Sequence, residues 1–143
     1  MANLEYVQTT PLSSSPVPSI RGSVAPILGE LIDFRRDLHS HPELSHKEFR
    51  TTDRIVEALE AAGLQPKRLE NTGAYVDIGD GPIGLALRAD IDALPVLEET
   101  ALPYASVNTG IAHACGHDIH TTVMLGAARV LAKLDAEGSL GGR

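Results

Sequence analysis

The sequence lacks a second cysteine: Cys115 stands alone in 143 residues. An internal disulfide is therefore excluded, and the fold must rest on packing and on metal, which suits a reducing compartment. The cytoplasm is the location this implies. Equally absent is any stretch of about 20 consecutive apolar residues, because charges or prolines interrupt every apolar run, so no segment is expected to span a bilayer. The start shows no basic residues followed by an apolar run, as a secretory signal requires. Instead Met1 to Ser23 holds Ser13, Ser14 and Ser15 among Pro11, Pro16 and Pro18, and residues 1–23 read as a flexible arm. Basic runs are missing as well. A formal net charge of -7 repels phosphate backbones and anionic headgroups, so neither nucleic acid nor a membrane is an expected partner. No internal repeat is present.

What is there fits one globular unit over residues 24–143. A hydrophobic fraction of 43% beside 22% charged residues excludes wholesale disorder and fibrous classes. From Val24, apolar residues recur at three- and four-residue steps through Ile27, Leu28, Leu31, Phe34 and Leu38, which predicts a first helix ending near His39. Pro42 biases His41 away from helical dihedrals, and Ser45 with Glu48 forms a capping box for a second helix that Gly63 terminates. Residues Tyr75–Ile78 and Ile83–Leu87 read as two strands joined by the Gly79-Asp80-Gly81-Pro82 turn. The stretch from Ala89 to His113 reads as loop, and a third helix runs from an Asp118 N-cap to Leu134. Its Gly126-Ala127-Ala128 face is expected to pack closely on a sheet. This order gives an α/β or α+β pattern with too few strands to close a sheet. The tail Gly138–Arg143 reads as a connection towards another strand.

Three clusters carry potential chemistry. The densest is His113-Ala114-Cys115-Gly116-His117-Asp118-Ile119-His120, just before the third helix. Thiolate and imidazole are good ligands for zinc and its neighbours, and Gly116 lets Cys115 and His117 turn towards one point. A lone C-x-H would more often be a buried thiol beside a solvent-facing histidine; three histidines and an aspartate in one loop shift that balance. The second cluster, Arg88-Ala89-Asp90-Ile91-Asp92-Ala93-Leu94-Pro95, offers two alternating carboxylates at a strand end. One of them can orient a ligating imidazole; equally, Arg88 and Asp90 can form an ion pair while Asp92 caps a turn. The third, Arg36-Asp37-Leu38-His39-Ser40-His41-Pro42-Glu43-Leu44-Ser45, lies at a helix-to-helix joint. Its histidines read as structural, satisfying backbone groups at the helix end.

Taken in order, R-R-D-L-H-x-H-P-E-L, R-A-D-x-D-A-L-P and H-A-C-G-H-D-x-H-T resemble the amino-terminal part of the hippurate hydrolase, N-acyl-amino-acid amidohydrolase and auxin-conjugate hydrolase group. That group lies within the aminoacylase and carboxypeptidase metallopeptidase superfamily. The resemblance runs from Leu28 to Leu134. It implies an α/β fold: part of a three-layer zinc-peptidase-like catalytic domain with a mixed sheet and flanking helices, incomplete in this chain and without the lid or dimerisation domain. It also implies that Cys115 and His117 are metal ligands and that Asp90 orients. Arg88 stands where the wider superfamily has a ligating histidine, so that role does not transfer. The roles of His113, Asp118 and His120 stay open. Two divalent ions per complete site are implied, with zinc, manganese, cobalt and nickel not distinguished. The implied reaction is hydrolysis of the amide bond of N-acyl or N-aroyl amino acids, with the small amide as partner and homo-oligomers among full-length relatives. The family's Glu-Glu pair and later histidines have no counterpart here, so these residues alone are expected to be inactive. The alternative is a non-catalytic metal-binding module. A thiol enzyme built on Cys115 ranks last, because Cys115 and His117 are too close in sequence to resemble known thiol hydrolases.

Overall fold

The computed structural model describes residues 20–143. Most of the arm expected over residues 1–23 lies outside them; its last residues open α1 (Ile20–Val24). A 3-10 turn over Ala25–Ile27 follows, and α2 covers Leu28–Ser40. The periodic stretch is thus helical but interrupted, because Pro26 in the turn has no N–H to give to a continuous ladder. Helix α2 buries Leu31, Phe34 and Leu38 on one side. It stops at His41, whose dihedrals leave the helical region immediately before Pro42.

Helix α3 spans Phe49–Ala61. Its first turn is capped, but not by the expected Ser45 and Glu48 pair. Glu43 reaches forward instead, and its carboxylate accepts the backbone N–H of Arg50 at 3.1 Å and of Thr51 at 2.7 Å. The Glu48 carboxylate is engaged elsewhere, accepting the Thr72 hydroxyl at 2.7 Å. A carboxylate at a helix start satisfies orphan donors and complements the dipole, so Glu43 does the work assigned to the box. The other end follows expectation. Gly63 adopts φ 79°, donating to the Glu60 carbonyl at 2.8 Å, while Leu64 donates to the Leu59 carbonyl at 3.1 Å. That pair of bonds is a Schellman terminator.

Two short antiparallel strands come next, β1 (Lys67–Arg68) and β2 (Ala74–Tyr75), with Lys67 opposite Tyr75. Only Tyr75 of the two predicted strands is in a ladder. Val76 and Ile78 pack against the core as irregular chain, whereas Ile83, Leu85 and Leu87 stay 64%, 71% and 54% exposed. The run reads as a strand because it is apolar throughout, yet a strand exists only where neighbours accept its hydrogen bonds. Among the described residues the neighbour is slight: Gly84 donates to the Arg143 carbonyl at 2.8 Å.

The segment from residue 89 to 116 is irregular, as expected, and is stitched in place by isolated bridges of Ala93 to Leu44 and of Leu94 to Ala112. Helix α4 then covers His117–Ala136. The core lies where α2, α3 and α4 meet, formed by Leu31, Phe34, Leu38, Leu59, Leu125 and Ala128. The small face of α4 packs on a helix rather than on the expected sheet. A Cβ on Gly126 would stand 3.1 Å from Leu31 Cδ1, so glycine lets α2 come this close. No helix among the described residues is long and apolar enough to cross a membrane.

Leu38 is fully buried in this three-helix core. Leu38→Ala is expected to lower the unfolding free energy by ~2–5 kcal/mol, the range for emptying a buried leucine site. Urea denaturation measures it, and a loss below ~1 kcal/mol would show that the core can collapse around the gap.

Candidate metal centre

The start of α4 is built by a glycine and two differently aimed side chains. Gly116 takes φ 78°, a left-handed conformation that an L side chain rarely adopts, and it is the residue that caps the helix. Its carbonyl accepts the first intrahelical bonds, from Ile119 at 3.0 Å and His120 at 3.1 Å. No side chain caps this end. Asp118, expected as the N-cap, sits inside the first turn with its side chain fully buried.

His117 faces the segment that carries the second motif. Its Nδ1 lies 2.9 Å from the Asp92 carbonyl oxygen and 2.9 Å from Asp92 Oδ1. Both neighbours only accept, so Nδ1 carries the proton and donates, leaving the lone pair on Nε2 for a ligand. Thr121, one turn on, ties the same two segments, with its hydroxyl 3.2 Å from the Asp90 carbonyl oxygen. The carboxylate that meets His117 is therefore Asp92, not Asp90. The Asp90 side chain pairs with Arg88. The alternation of the two aspartates gave no signal to choose between them; the choice depends on which one the Ala93–Leu44 and Leu94–Ala112 bridges turn towards α4.

Cys115 is exposed and free. It precedes the helix cap Gly116 by one residue. The His120 ring lies 5.5 Å from that of His117. Among the described residues no group of three or more His, Cys, Asp or Glu side chains gathers to hold a metal ion. What the described residues offer is one imidazole oriented by Asp92 and one exposed thiol two residues before it.

A buried polar cluster that the sequence motifs located only in part surrounds Asp118, next in the chain to His117. Asp118 Oδ2 is 2.7 Å from Arg35 Nε, an ion pair rather than an aligned hydrogen bond, and 2.8 Å from His39 Nδ1. The other ring nitrogen of His39 lies 3.1 Å from Glu98 Oε1. His39 thus meets Asp118 and Glu98, far along the chain, and Arg35 Nη2 one turn back at 3.1 Å, and not the backbone of the helix end. His41 does meet the helix end, with Nδ1 2.9 Å from the Asp37 carbonyl oxygen. Glu98, which spacing did not single out, also accepts the Ser106 N–H at 2.7 Å and the Thr100 hydroxyl. His113 is 5% exposed, and burial holds its pKa below the ordinary histidine value, against the opposing pull of the Asp118 charge.

With this geometry in place, comparison with known proteins gives the family. The family model described as peptidase family M20/M25/M40 matches residues 86–141. An N-acetyl-L-cysteine deacetylase of Bacillus subtilis (strain 168) is 54% identical over 107 residues, covering 71% of this chain and 25% of that protein. A crystal structure of a Bacillus subtilis protein, described as a dinuclear metal binding peptidase from the M20 family, superposes with a TM-score of 0.74 at 45% identity. That match covers 78% of this chain and 32% of the other.

The chain belongs to the M20 peptidase family.

A protein of Rhodococcus jostii (strain RHA1) named as a glutamate–cysteine ligase is also 51% identical over 106 residues. Those residues are 73% of this chain but 13% of that protein, so its name concerns a chain most of which lies outside the match. The chain spans at most about a third of the M20 relatives it matches. The α/β class and the partial peptidase-like domain are borne out by the structural match, even though the sheet within residues 20–143 has two strands.

The Glu98 cluster makes a pH prediction. Burial alone would raise the Glu98 carboxyl, but bonds from Thr100, Ser106 and His39 and the His39 charge outweigh it, bringing it from 4.5 down to about 2. A lowered folded-state pKa stabilises above the unfolded value, and the contribution disappears as pH falls from about 4.5 to about 2. Glu98→Gln is expected to flatten the acid limb of stability against pH in that window. Chemical denaturation at stepped pH checks it, and identical slopes for the two proteins would contradict the assignment.

Proposed function

We propose that Cys115 and His117 are metal ligands of an amidohydrolase centre, and that the complete protein hydrolyses the amide bond of N-acyl amino acids. The observation that carries this reading is the His117 ring. Its Nδ1–H is shared between the backbone and the carboxylate of Asp92, which leaves Nε2 as the only free donor atom on an imidazole held from behind. Metal-bound histidines are supported in this way. A neighbouring thiol ahead of a helix start completes a soft, two-ligand set suited to zinc and similar divalent ions.

On this reading the pair supplies two of the ligands that a two-ion centre would need, and the M20 relative described as a dinuclear metal binding peptidase supports such a centre for the complete protein. When bound, such ions supply Lewis-acid polarisation of the scissile carbonyl and lower the pKa of a coordinated water. The chain's own contributions are narrower. His117 and Cys115 hold, Asp92 fixes the ring and tautomer of His117, and Thr121 keeps the Asp92 segment against the helix. No glutamate in these motifs stands ready as a general base, so the 143 residues by themselves are inactive or nearly so. The deacetylase name of the Bacillus subtilis relative supports a small N-acyl amino acid as substrate, and the choice of metal among zinc, manganese, cobalt and nickel is open to direct assay.

The test is metal content after equilibrium dialysis against zinc, measured by elemental analysis. Cys115→Ser and His117→Ala are each expected to cut retained zinc at least tenfold, and Asp92→Asn to weaken binding by roughly 10- to 100-fold without unfolding the chain. Undiminished zinc in a Cys115→Ser, His117→Ala double variant would sink the ligand assignment. In a turnover assay with N-acetyl amino acids and added zinc, the 143-residue chain is expected to give no hydrolysis above the buffer rate. Robust turnover would overturn the view that it lacks the general base.

A further inference from the structure

We propose that His39 is a positioning residue for the metal ligands, clamping Asp118 so that the first turn of α4 presents His117 and Cys115 in one fixed orientation. The inference rests on the ligand reading above and adds a residue whose side chain is placed outside that centre.

A helix start is the weakest part of a helix, because its first N–H groups have no intrahelical partner. At α4 no side chain supplies a cap, so the roll of the first turn needs another anchor. Successive residues on a helix point about 100° apart, which sends His117 and Asp118 to different neighbours. His117 is bound to Asp92 on one side. Asp118 turns inward to α2, where Arg35 and His39, one turn apart on one face, both reach Oδ2. Two adjacent residues are thereby held by two separate segments, and the turn cannot roll without breaking one contact or the other.

His39 does more than fill space in this arrangement. Its Nδ1 faces Asp118 at 2.8 Å and its Nε2 faces Glu98 at 3.1 Å, so the ring bridges α4 to the 98–106 loop. That loop is drawn in by Ser106 N–H on Glu98 and by Val107 N–H on the Ser40 carbonyl at 2.9 Å. His113 packs beside the ring at a centroid distance of 6.4 Å, with neither of its nitrogens bonded, and Asp118 Oδ1 has no partner either. Among the described residues the contact of His39 Nδ1 is the one aligned side-chain hydrogen bond to the Asp118 carboxylate; Arg35 Nη2 lies 3.1 Å from the same nitrogen and can only donate, so the clamp takes the form of His39 that carries its proton on Nδ1. Arg35 alone would leave the carboxylate free to pivot, since its Nε contact lacks alignment.

Cobalt(II) separates positioning from folding, because a thiolate ligand gives cobalt a charge-transfer band that does not depend on turnover. Wild-type protein is titrated with cobalt(II), and the band and dissociation constant are compared across variants shown by circular dichroism to be folded. His39→Leu is expected to weaken cobalt binding roughly tenfold and to reduce the band, in the range seen when a partner of a ligand is lost. His39→Asn, which keeps a donor near the Nδ1 position, is expected to recover most of the affinity. Leu38→Ala, destabilised in the same helix but outside the cluster, is expected to bind cobalt as wild type does. Should the leucine variant fail to fold, His39→Gln, which cannot place a donor at that position, carries the same comparison. A folded His39→Leu or His39→Gln chain with wild-type affinity and band would overturn the clamp and leave the ligand assignment intact. Absence of the band in wild type would overturn the ligand assignment, and the clamp with it.

Discussion

The start of α4 depends on a buried carboxylate. Asp118 has no exposed side-chain surface, and a charge so placed is costly unless it is paired and hydrogen-bonded. Both partners come from α2, where Arg35 and His39 lie four residues apart on one face. Satisfying Asp118 therefore fixes α2 and α4 in one relative roll. The same roll sets Gly126 against Leu31 and closes the apolar contact of Leu31, Phe34 and Leu125. Polar pairing and core packing reinforce one another here, because a turn of either helix would lose both.

That constraint reaches the candidate metal centre through a single peptide unit. With Asp118 committed to α2, His117 is left to face the Asp92 segment, and Cys115 lies just before the glycine whose left-handed backbone opens the helix. Asp37 shows the same logic on the outer side of α2. Its carboxyl is lowered although burial opposes this, because Arg50 and Arg54 of α3 bond to it and hold α2 against α3. Asp37 and Asp118, far apart in sequence, thus hold α2 against α3 and against α4 around one core.

The helices were legible in the sequence because their apolar periodicity and terminators are local. Leu31, Phe34 and Leu38 mark the buried stripe of α2, and Gly63 ends α3 by the bond pattern its neighbours predict. What escaped was set by partners distant in the chain. Ser45 and Glu48 have the spacing of a capping box, but the helix starts at Phe49, where Glu43 accepts the N–H groups of Arg50 and Thr51, and Thr72 takes Glu48. Asp90 and Asp92 look equivalent until the bridges at Ala93 and Leu94 decide which faces α4. His39 sits in a motif that reads as a helix end, and only the fold brings Glu98 and Asp118 to its two nitrogens. The apolar run Ile83–Leu87 was legible as strand-like sequence but not as a strand, since pairing is a property of neighbours.

Membership of the M20 family rests on the residues that build this corner, and the centre proposed for it rests on one imidazole and one sulfur. X-ray absorption of the zinc-loaded protein tests that most directly. The expected first shell has one sulfur at about 2.3 Å and imidazole nitrogen at about 2.0–2.1 Å, and loses the sulfur in Cys115→Ser. A shell of oxygen and nitrogen alone, unchanged by that substitution, would contradict it.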